Sequence, residues 1–502
     1  MTLPHNYEMV IGLEVHAQIT TKSKLFSASA TAFGAEPNTQ ANEIDLGMPG
    51  MLPVLNAGAV DAGIKLGLAI EADINPASVF ARKNYYYPDL PKGYQISQFD
   101  QPIVLGGKLD IDLADGTTRT INITRMHLEE DAGKSIHDMG SGNVSYVDLN
   151  RAGVPLMEIV SEPELRNPEE AGAYMKKLRT LLRFLEICDG DMEKGNLRCD
   201  ANVSVRKIGS TELKTRCEIK NLNSIRHVMH AIQHEAERQV GVWESGGTVD
   251  QETRLWDPDL SETRTLRSKE DAHDYRYFPD PDLITVNLEA ARIEAIKATM
   301  PELPDTLKAR FMNDYGLTAY DASLLTSEKT YASYYSDMLA SLGLATARST
   351  ERSEEKGGGN EAAKLAANWL TVELFAALNK SGQELEDSPI TAAHMGELVS
   401  LITSGKISGK IAKQVFAIML ENPTSTPSQI VEEQGLTQIS DEGALKAICV
   451  QAVATNPDAV AKFKAGNERI FGSFVGAVMK ETKGQANPEL VNKLLKEAIE
   501  AA

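Results

Sequence analysis

Several informative residue types are scarce in this sequence. Only four of its 502 residues are cysteine, and Lys and Arg number 51 against 71 Asp and Glu, giving a net charge of -20. The cysteines, at positions 188, 199, 217 and 449, form no Cys-x-x-Cys pair. We interpret them as reduced core residues of a cytoplasmic protein. The acidic balance argues against a surface coated for RNA binding, so any nucleic-acid contact must be local.

Long apolar runs are also absent. No stretch reaches the length of a membrane span, and the first twelve residues lack a basic region followed by an apolar one. Neither membrane insertion nor export is therefore predicted. A chain of 502 residues can bury a large core, and more than one domain is expected.

The most informative stretch runs from Arg198 to Lys220 and predicts two strands joined by a turn at Gly209. Because side chains alternate along a strand, one face of this hairpin collects ionisable and polar groups of both signs. These groups are Arg198, Asp200, Asn202, Ser204 and Arg206 on the first strand, and Lys214, Arg216, Glu218 and Lys220 on the second. A hairpin on its own would favour the simpler interpretation, a solvated face of a half-buried sheet.

Two further segments favour a functional site over a solvated sheet face. Residues 9–19 alternate in the same way and place Glu14, His16 and Gln18 on one face. A third charged cluster, at residues 125–134, contains Glu129 and Glu130. Carboxylates from three separate strands, interleaved with Lys and Arg, indicate a site for magnesium and phosphate.

Other segments leave alternatives open. Residues 81–103 place Lys83 and Lys92 beside three tyrosines, which fits either a loop that presents cations to a phosphate or base, or a packed surface loop. The histidines at positions 227, 230 and 234 lie at helical spacing, and ordinary polar-face histidines are favoured over a metal site. Residues 252–283 are expected to reach back over the charged face.

The chain changes character near residue 290, where strand patterns give way to helical ones. We predict a catalytic domain at residues 1–292, a helical domain at 293–405 and a small helical tail at 406–502. The tail carries similar numbers of basic and acidic residues within an acidic chain. It is predicted to contact RNA phosphates, although a solvated end-domain fits its charge equally well.

Seven motifs together resemble the B-subunit family of the aspartyl/glutamyl-tRNA amidotransferases. They are GLEVHAQI, KNYYYPDLPKGYQISQ, LEEDAGK, DLNRAGVPLMEIVSEPE, GNLRCDANVSVR, EIKNLNS and DYRYFPDPDL. The resemblance implies an α+β fold: an antiparallel-sheet cradle related to the catalytic domain of glutamine synthetase, then a helical domain and a helical tail. It also implies ATP- and Mg²⁺-dependent phosphorylation of the side-chain carboxylate of mischarged Asp-tRNA(Asn) or Glu-tRNA(Gln), followed by displacement of phosphate by ammonia.

The resemblance assigns roles to particular residues. It implies that Glu14, His16, Glu129 and Glu218 hold or support the metal, with Glu130 assisting. It implies that Lys83, Lys92 and Glu129 line the route of ammonia. As nucleotide or acyl-phosphate contacts we predict Arg198, Asp200, Asn202, Arg216 and Lys220.

One departure from the family pattern concerns zinc. Many members carry four zinc-binding cysteines after the first strand, where this chain has Ser27, Ser29, Asn42 and Asp45, so no zinc is expected. The chain also shows no amidase or glutaminase signature, and the resemblance supplies a separate amidase A subunit and a small C subunit. Two alternatives remain: a tRNA-binding adaptor without catalysis, and a free-standing ligase for a small acid.

Overall fold

The computed structural model describes residues 3–4, 6–136, 144–267, 274–344, 356–437, 442–482 and 485–501. The chain divides into two compact units, residues 1–304 and residues 305–502. The predicted three-part division at residues 292 and 405 stays a prediction. None of the helices in these ranges has both the length and the apolar character needed to cross a membrane.

In its described residues the first unit combines strands with four helices. Its strands are β1 Tyr7–Gln18, β2 Asp73–Ile74, β3 Ala77–Ser78, β4 Phe80–Asn84, β5 Tyr94–Gln98, β6 Val104–Leu105, β7 Lys108–Asp112, β8 Thr118–Glu130, β9 Lys134–Ile136, β10 Tyr146–Asp148, β11 Pro155–Ser161, β12 Leu197–Lys207, β13 Cys217–Lys220, β14 Thr253–Asp257, β15 Glu262–Arg267, β16 Phe278–Pro279 and β17 Val286–Asn287. Its helices are α1 Ala57–Ala69, α2 Pro168–Phe184, α3 Ile225–Glu244 and α4 Ala290–Ala298.

Thirteen of these strands form one sheet in the order β15-β14-β13-β12-β1-β11-β8-β5-β4-β16, with β6 and β7 also paired to β8 and β2 paired to β6. All of its pairings are antiparallel except that of β13 with β14. The first strand, β1, lies near the middle, between β12 and β11. Segments far apart in sequence therefore meet beside it.

One face of this sheet is apolar and is covered by helices. Ile11, Leu13 and Val15 of β1 belong to one buried core together with side chains of α1, α2 and α3. Along β1 the alternate side chains, from Glu14 to Gln18, are only partly buried. The period-2 pattern therefore directs the apolar side chains to the helices and leaves the polar side chains on the opposite face.

Local signals account for the boundaries of these elements. Pro168 begins α2, where its missing N–H costs no hydrogen bond, and the Asn167 side chain accepts from the Glu170 N–H at 2.8 Å. Gly116, at φ 84°, forms the turn between β7 and β8. The α+β class predicted from the sequence is confirmed.

The predicted hairpin at residues 198–220 is present but uneven. Its first strand, β12, spans eleven residues, whereas β13 holds only four. Gly209, at φ 85°, lies in the connection as predicted. Lys214 and Arg216 were predicted on the second strand and instead lie, exposed, in the loop before it. In this loop charged and uncharged residues alternate as they would in a strand, although β13 begins only at Cys217.

The second unit is helical. Its helices are α5 Pro304–Tyr315, α6 Ala319–Leu325, α7 Lys329–Ser341, α8 Lys356–Asn368, α9 Phe375–Ser381, α10 Ala392–Thr403, α11 Gly409–Glu421, α12 Pro427–Glu433, α13 Glu442–Ala454, α14 Pro457–Lys464, α15 Phe471–Glu481 and α16 Pro488–Ala501. A π-helical turn, Trp369–Leu374, joins α8 to α9. The last four helices share a core of their own, which includes Leu445, Phe474 and Leu495.

Candidate active site

The polar face of the sheet contains a row of three side chains on adjacent strands. His16 on β1 lies opposite Glu158 on β11, which in turn lies opposite His127 on β8. The Glu158 carboxylate is 3.3 Å from His16 Nε2 and 3.6 Å from His127 Nε2. Glu158 therefore lies between two imidazoles at the centre of the polar face.

Two further carboxylates complete this group. Glu14 Oε1 is 3.5 Å from His16 Nε2, and Glu129 Oε2 is 3.6 Å from His127 Nε2. Potential ligand atoms come within 4.8 Å of one another in two sets that share Glu158: one with Glu14 and His16, the other with His127 and Glu129. We call these five residues the Glu158 cluster.

The charges of the Glu158 cluster shift its pKa values. Burial, reinforced by Glu158, raises the pKa of Glu14 to about 7. Burial alone would lower the pKa of His16, but its hydrogen bond to Glu158 and the charge of Glu129 raise that pKa to about 9. The pKa of Glu158 itself is below its usual range: burial opposes ionisation, but the two imidazoles outweigh it. The protonated His16 imidazole thus balances part of the carboxylate charge.

Lys83 extends the cluster towards β4. Its ammonium lies 4.9 Å from the centre of the Tyr275 ring. Burial would lower the pKa of Lys83, but the nearby negative charge, that of Glu129 foremost, raises it above the usual value. Tyr275 comes from the segment predicted to reach back over the face. Its carbonyl accepts from the Asn84 N–H at 2.9 Å, so this part of the segment lies beside the end of β4.

Lys92 and Glu130 form a separate buried pair. The Lys92 ammonium donates to Glu130 Oε1, and the Ile96 N–H donates to the same oxygen at 2.9 Å. Glu130 follows Glu129 directly in β8, so its side chain points to the other face of the strand. The structure thus brings Glu129, but not Glu130, into the Glu158 cluster.

The predicted nucleotide contacts on β12 are held by ion pairs. Arg198 donates two hydrogen bonds to Asp131, at 2.9 and 3.1 Å. Arg198 and Arg151 lower the pKa of Asp131 to about 2 against the opposing effect of burial. Lys220 donates to Asp200, which lies opposite Glu14 in the strand register.

Glu218 was predicted among the metal ligands, and the structure places it outside both sets of ligand atoms found in the described residues. Its carboxylate lies 3.2 Å from Lys220 Nζ and accepts from Thr253 Oγ1 at 2.8 Å. Asn202, opposite Glu218, shares the polar face, whereas Arg216 is exposed before β13 begins.

Sequence reasoning missed two members of the cluster, Glu158 and His127. Glu158 is the one charged residue in the otherwise apolar strand β11, PLMEIVS, which is an unusual position for a carboxylate. His127 precedes Glu129 by two residues, and strand alternation places both on one face. Both signals were visible in the sequence.

The three histidines of α3 do not join any set of ligand atoms among the described residues. His234 packs edge to face against Trp256, with 6.1 Å between ring centroids. This agrees with the interpretation of His227, His230 and His234 as ordinary helix residues.

The four residues at the family's zinc positions meet in one partly buried cluster in which the other three contact Asp45. Asp45 accepts from Ser27 Oγ at 2.8 Å, from Ser29 Oγ at 2.7 Å and from the Asn42 N–H at 3.0 Å. Lys24 Nζ lies 3.2 Å from the same carboxylate. The absence of zinc stays a prediction, and this ammonium already supplies a positive charge to Asp45.

Comparison with known proteins agrees with the resemblance. The GatB/GatE catalytic domain model matches residues 9–294, and the GatB domain model matches residues 354–499. A relative from Alkalilimnicola ehrlichii is 55% identical over 495 residues, covering 99% of this chain and 100% of the relative. A relative from Paramagnetospirillum magneticum is 54% identical over 494 residues and 98% of both chains.

A third relative, from Thioalkalivibrio sulfidiphilus, is 54% identical over 98% of this chain and 100% of its own length. All three are named as the B subunit of an aspartyl/glutamyl-tRNA(Asn/Gln) amidotransferase. The match extends over almost the whole chain at more than half identity, and the first family model alone covers all five residues of the Glu158 cluster. The chain therefore belongs to the B-subunit family of the aspartyl/glutamyl-tRNA(Asn/Gln) amidotransferases.

Proposed function

We propose that this chain is the kinase and transamidase subunit of a cytoplasmic, tRNA-dependent amidotransferase. It converts mischarged Asp-tRNA(Asn), Glu-tRNA(Gln) or both into the amide forms, using ATP, Mg²⁺ and ammonia. It works in a heterotrimer with an amidase A subunit and a small C subunit. The observation that carries this proposal is the Glu158 cluster, because a subunit that only docked tRNA would not need a buried group of three carboxylates and two imidazoles.

The cluster fits a divalent cation. Glu14, Glu129 and Glu158 offer the oxygen ligands that Mg²⁺ prefers. Burial, and after it the charge of Glu158, raises the pKa of Glu14, and a bound cation would favour its ionised form. When bound, Mg²⁺ neutralises phosphate oxygens and lowers the cost of charge developing during phosphoryl transfer. Glu218 pairs with Lys220 and is not part of this proposed ligand set.

Cationic side chains around the cluster suit a transferred phosphoryl group. Arg198 is oriented by its two hydrogen bonds to Asp131. Lys83 and Lys220 remain protonated at neutral pH, because neighbouring carboxylates outweigh the burial of each ammonium and raise its pKa. Such fixed positive charges stabilise phosphate oxygens without reorganising during the reaction.

The proposed reaction has two steps, phosphorylation of the carboxylate and then amidation. An oxygen of the substrate's side-chain carboxylate attacks the γ-phosphorus of ATP, forming an acyl phosphate and releasing ADP. Ammonia then attacks the acyl carbon through its lone pair, the C–O bond to phosphate breaks, and the amide, phosphate and a proton are released. The chain's part is to hold the two reacting groups in line and to exclude water.

Two buried lysine and carboxylate groupings suit the delivery of ammonia. Lys92 pairs with Glu130, and Lys83 lies near Glu129. The ammonium ions of the lysines repel NH₄⁺, whereas neutral NH₃ can donate hydrogen bonds to the carboxylates. We therefore place Lys83, Lys92, Glu129 and Glu130 along the route that neutral ammonia follows.

The test measures ATP-dependent amidation of Glu-tRNA(Gln) and Asp-tRNA(Asn) with ammonium chloride as donor, using the chain co-expressed with its partner subunits. Glu129→Ala and Glu158→Gln are compared with Glu162→Gln. Glu162 is a matched control because it lies four residues from Glu158 and accepts from Thr124 Oγ1 near the protein surface. Loss of amidation in the first two variants alone is the expected result.

Retained amidation in Glu129→Ala and Glu158→Gln would place the chemistry elsewhere and favour the adaptor alternative. ADP release should be recorded in the same assay. Loss of both ADP release and amide formation indicates a defect in phosphorylation, whereas ADP release without amide formation indicates a defect in ammonia delivery.

A further inference from the structure

A polar cavity of about 140 Å³ lies beside the Glu158 cluster. Its lining includes Gln18, Phe33, Lys134, Arg151 and Lys194. Gln18 follows His16 by two residues on β1, so the two side chains share the polar face about 7 Å apart. The cavity and the cluster are therefore neighbours on one sheet face.

Phe33 is the unusual residue of this cavity. Its side chain is 63% exposed, although a large aromatic ring is normally buried. Lys134 Nζ lies 5.7 Å and Lys194 Nζ 5.6 Å from the ring centroid. An exposed aromatic ring accompanied by two ammonium groups combines a stacking surface for a base with two partners for phosphate.

The local charge favours an anionic ligand. Lys134, Arg151 and Lys194 line the cavity together with Asp148, and Lys194 Nζ is also paired with Asp191 Oδ2 at 2.9 Å. The Asp148 carboxylate already accepts from the Asn38 and Asn150 N–H groups, at 3.1 and 3.0 Å. In a chain of net charge -20 this is a local concentration of positive charge.

Asp131 connects residues of the cavity to Arg198 of the candidate active site. Asp131 accepts from Gln18 Nε2 at 2.9 Å and from Arg198, and it lies 3.7 Å from Arg151 Nε. Two residues that line the cavity, Gln18 and Arg151, therefore contact the same carboxylate that holds the Arg198 guanidinium. The volume is below the roughly 300 Å³ at which small-molecule pockets begin, so it suits one unit of a larger ligand.

We infer that Phe33, Lys134 and Lys194 bind the base and phosphate of a ribonucleotide substrate next to the Glu158 cluster. This inference rests on the proposed function, which supplies two such substrates: ATP and the 3′-terminal nucleotide of the charged tRNA. Both must bring a reacting group to the cluster while the rest of the nucleotide lies outside it. Exposed cation–π contacts are weak, so the ring face becomes available to the base once phosphate draws the ammonium groups away.

The experiment measures equilibrium binding to the complete complex without turnover. The probes are ATP, deacylated tRNA(Gln), and the same tRNA lacking its terminal adenosine. Phe33→Ala is expected to weaken binding of one probe on the order of tenfold, because one stacked base is lost, whereas Phe33→Trp retains affinity. Replacing both Lys134 and Lys194 by alanine should also reduce the salt dependence of binding.

Lys207→Ala is the matched control. Lys207 Nζ also lies over an aromatic ring, 3.8 Å from the Tyr7 centroid, but at the opposite end of β12 from the cavity. Weaker ATP binding in Phe33→Ala assigns the cavity to ATP. If Phe33→Ala weakens the binding of intact tRNA but does not change the binding of the shortened tRNA, the cavity is assigned to the terminal nucleotide.

Unchanged binding of all probes in both the Phe33→Ala and the double lysine variants would overturn the inference. Because binding is measured without catalysis, this outcome is separate from the fate of the proposed function. That function depends on the amidation assay with the Glu158→Gln variant.

Discussion

Lys24 Nζ lies 3.2 Å from Asp45 Oδ2, and neither side chain is more than 3% exposed. The same ammonium donates to the Leu149 carbonyl at 3.2 Å, so the pair also joins the loop before β11. Gly153 packs directly against this ion pair. It adopts φ 82°, and a Cβ at this position would lie 3.0 Å from Asp45 Oδ1. This buried ion pair connects three loop segments beside the sheet.

Breaking this pair should destabilise the first unit. Asp45→Asn leaves the Lys24 ammonium buried without its counter-charge, and removing one partner of a buried pair typically costs about 3–5 kcal/mol. Thermal or denaturant unfolding measures the change. The double variant Lys24→Met with Asp45→Asn should recover much of the loss, and a double variant as unstable as the single one would contradict the ion-pair explanation.

The same cluster predicts that the purified protein carries no stoichiometric zinc. Ser27, Ser29 and Asn42 provide no thiolate, and the Asp45 carboxylate is already paired with the Lys24 ammonium. Elemental analysis of the complete complex, purified without chelator, measures this directly. Stoichiometric zinc that is lost on replacing Asp45 would contradict the prediction.

Asp131 should contribute stability that depends on pH. Its pKa is about 2 in the folded chain, lower than the 3.8 of an ordinary Asp, because Arg198 and Arg151 outweigh the effect of burial. A depressed folded-state pKa stabilises the protein above the unfolded pKa, and this contribution is lost as pH falls from about 4 through 2. At pH 7 the difference corresponds to about 2 kcal/mol.

We therefore expect Asp131→Asn to lower the free energy of unfolding by about 2 kcal/mol at pH 7, with a smaller deficit near pH 3. Denaturant titrations at the two pH values test this. Asp110→Asn, which changes an exposed carboxylate on β7, is the control and should have little effect at either pH. A deficit in Asp131→Asn that does not change with pH would refute the electrostatic explanation.

The magnesium requirement should distinguish Glu158 from Glu218. Glu158→Gln removes an oxygen shared by both sets of ligand atoms, and we expect the Mg²⁺ concentration for half-maximal activity to rise about 10- to 100-fold. Glu218→Gln affects a carboxylate bound to Lys220 and Thr253, so the Mg²⁺ titration should remain near wild type. The opposite ranking would restore Glu218 to the ligand set.

Lys92→Met should separate the two sources of ammonia. The substitution leaves Glu130 buried without its ion pair and disturbs the proposed route. Glutamine-dependent amidation is expected to fall on the order of 10- to 100-fold, because a small misplacement along the route is costly. Amidation with saturating ammonium chloride should fall much less, and equal losses with both donors would contradict a role in delivery.

Much of the site could be predicted from strand alternation alone. Glu14, His16 and Glu129 share the polar face because the side-chain period is two, and that is a local property of each strand. The contact of Glu158 with His16 and His127 depends instead on the register of three strands, which alternation within one strand does not determine. The lone carboxylate in an apolar strand was the available clue.

The position of Glu218 outside the Glu158 cluster has the same origin. Alternation correctly predicted its face, but β12 lies between β13 and β1, and Glu218 is opposite Asn202 rather than next to Glu14. The prediction that Lys214 and Arg216 lie on the second strand was wrong for another reason. Local polarity alternates through the connection, but pairing between β12 and β13 begins only at Cys217. Strand order and strand length are tertiary properties that a single sequence specifies weakly.

The central position of β1 has a consequence for synthesis. This strand is synthesised before its neighbours, β11 and β12, which begin about 140 and 180 residues later along the chain. Until then its apolar side chains, such as Ile11 and Val15, and both of its hydrogen-bonding edges have no partners in the sheet. Such long-range pairing folds slowly and exposes aggregation-prone strands. In the nascent chain β1 therefore cannot pair on both edges until residue 207 has been made.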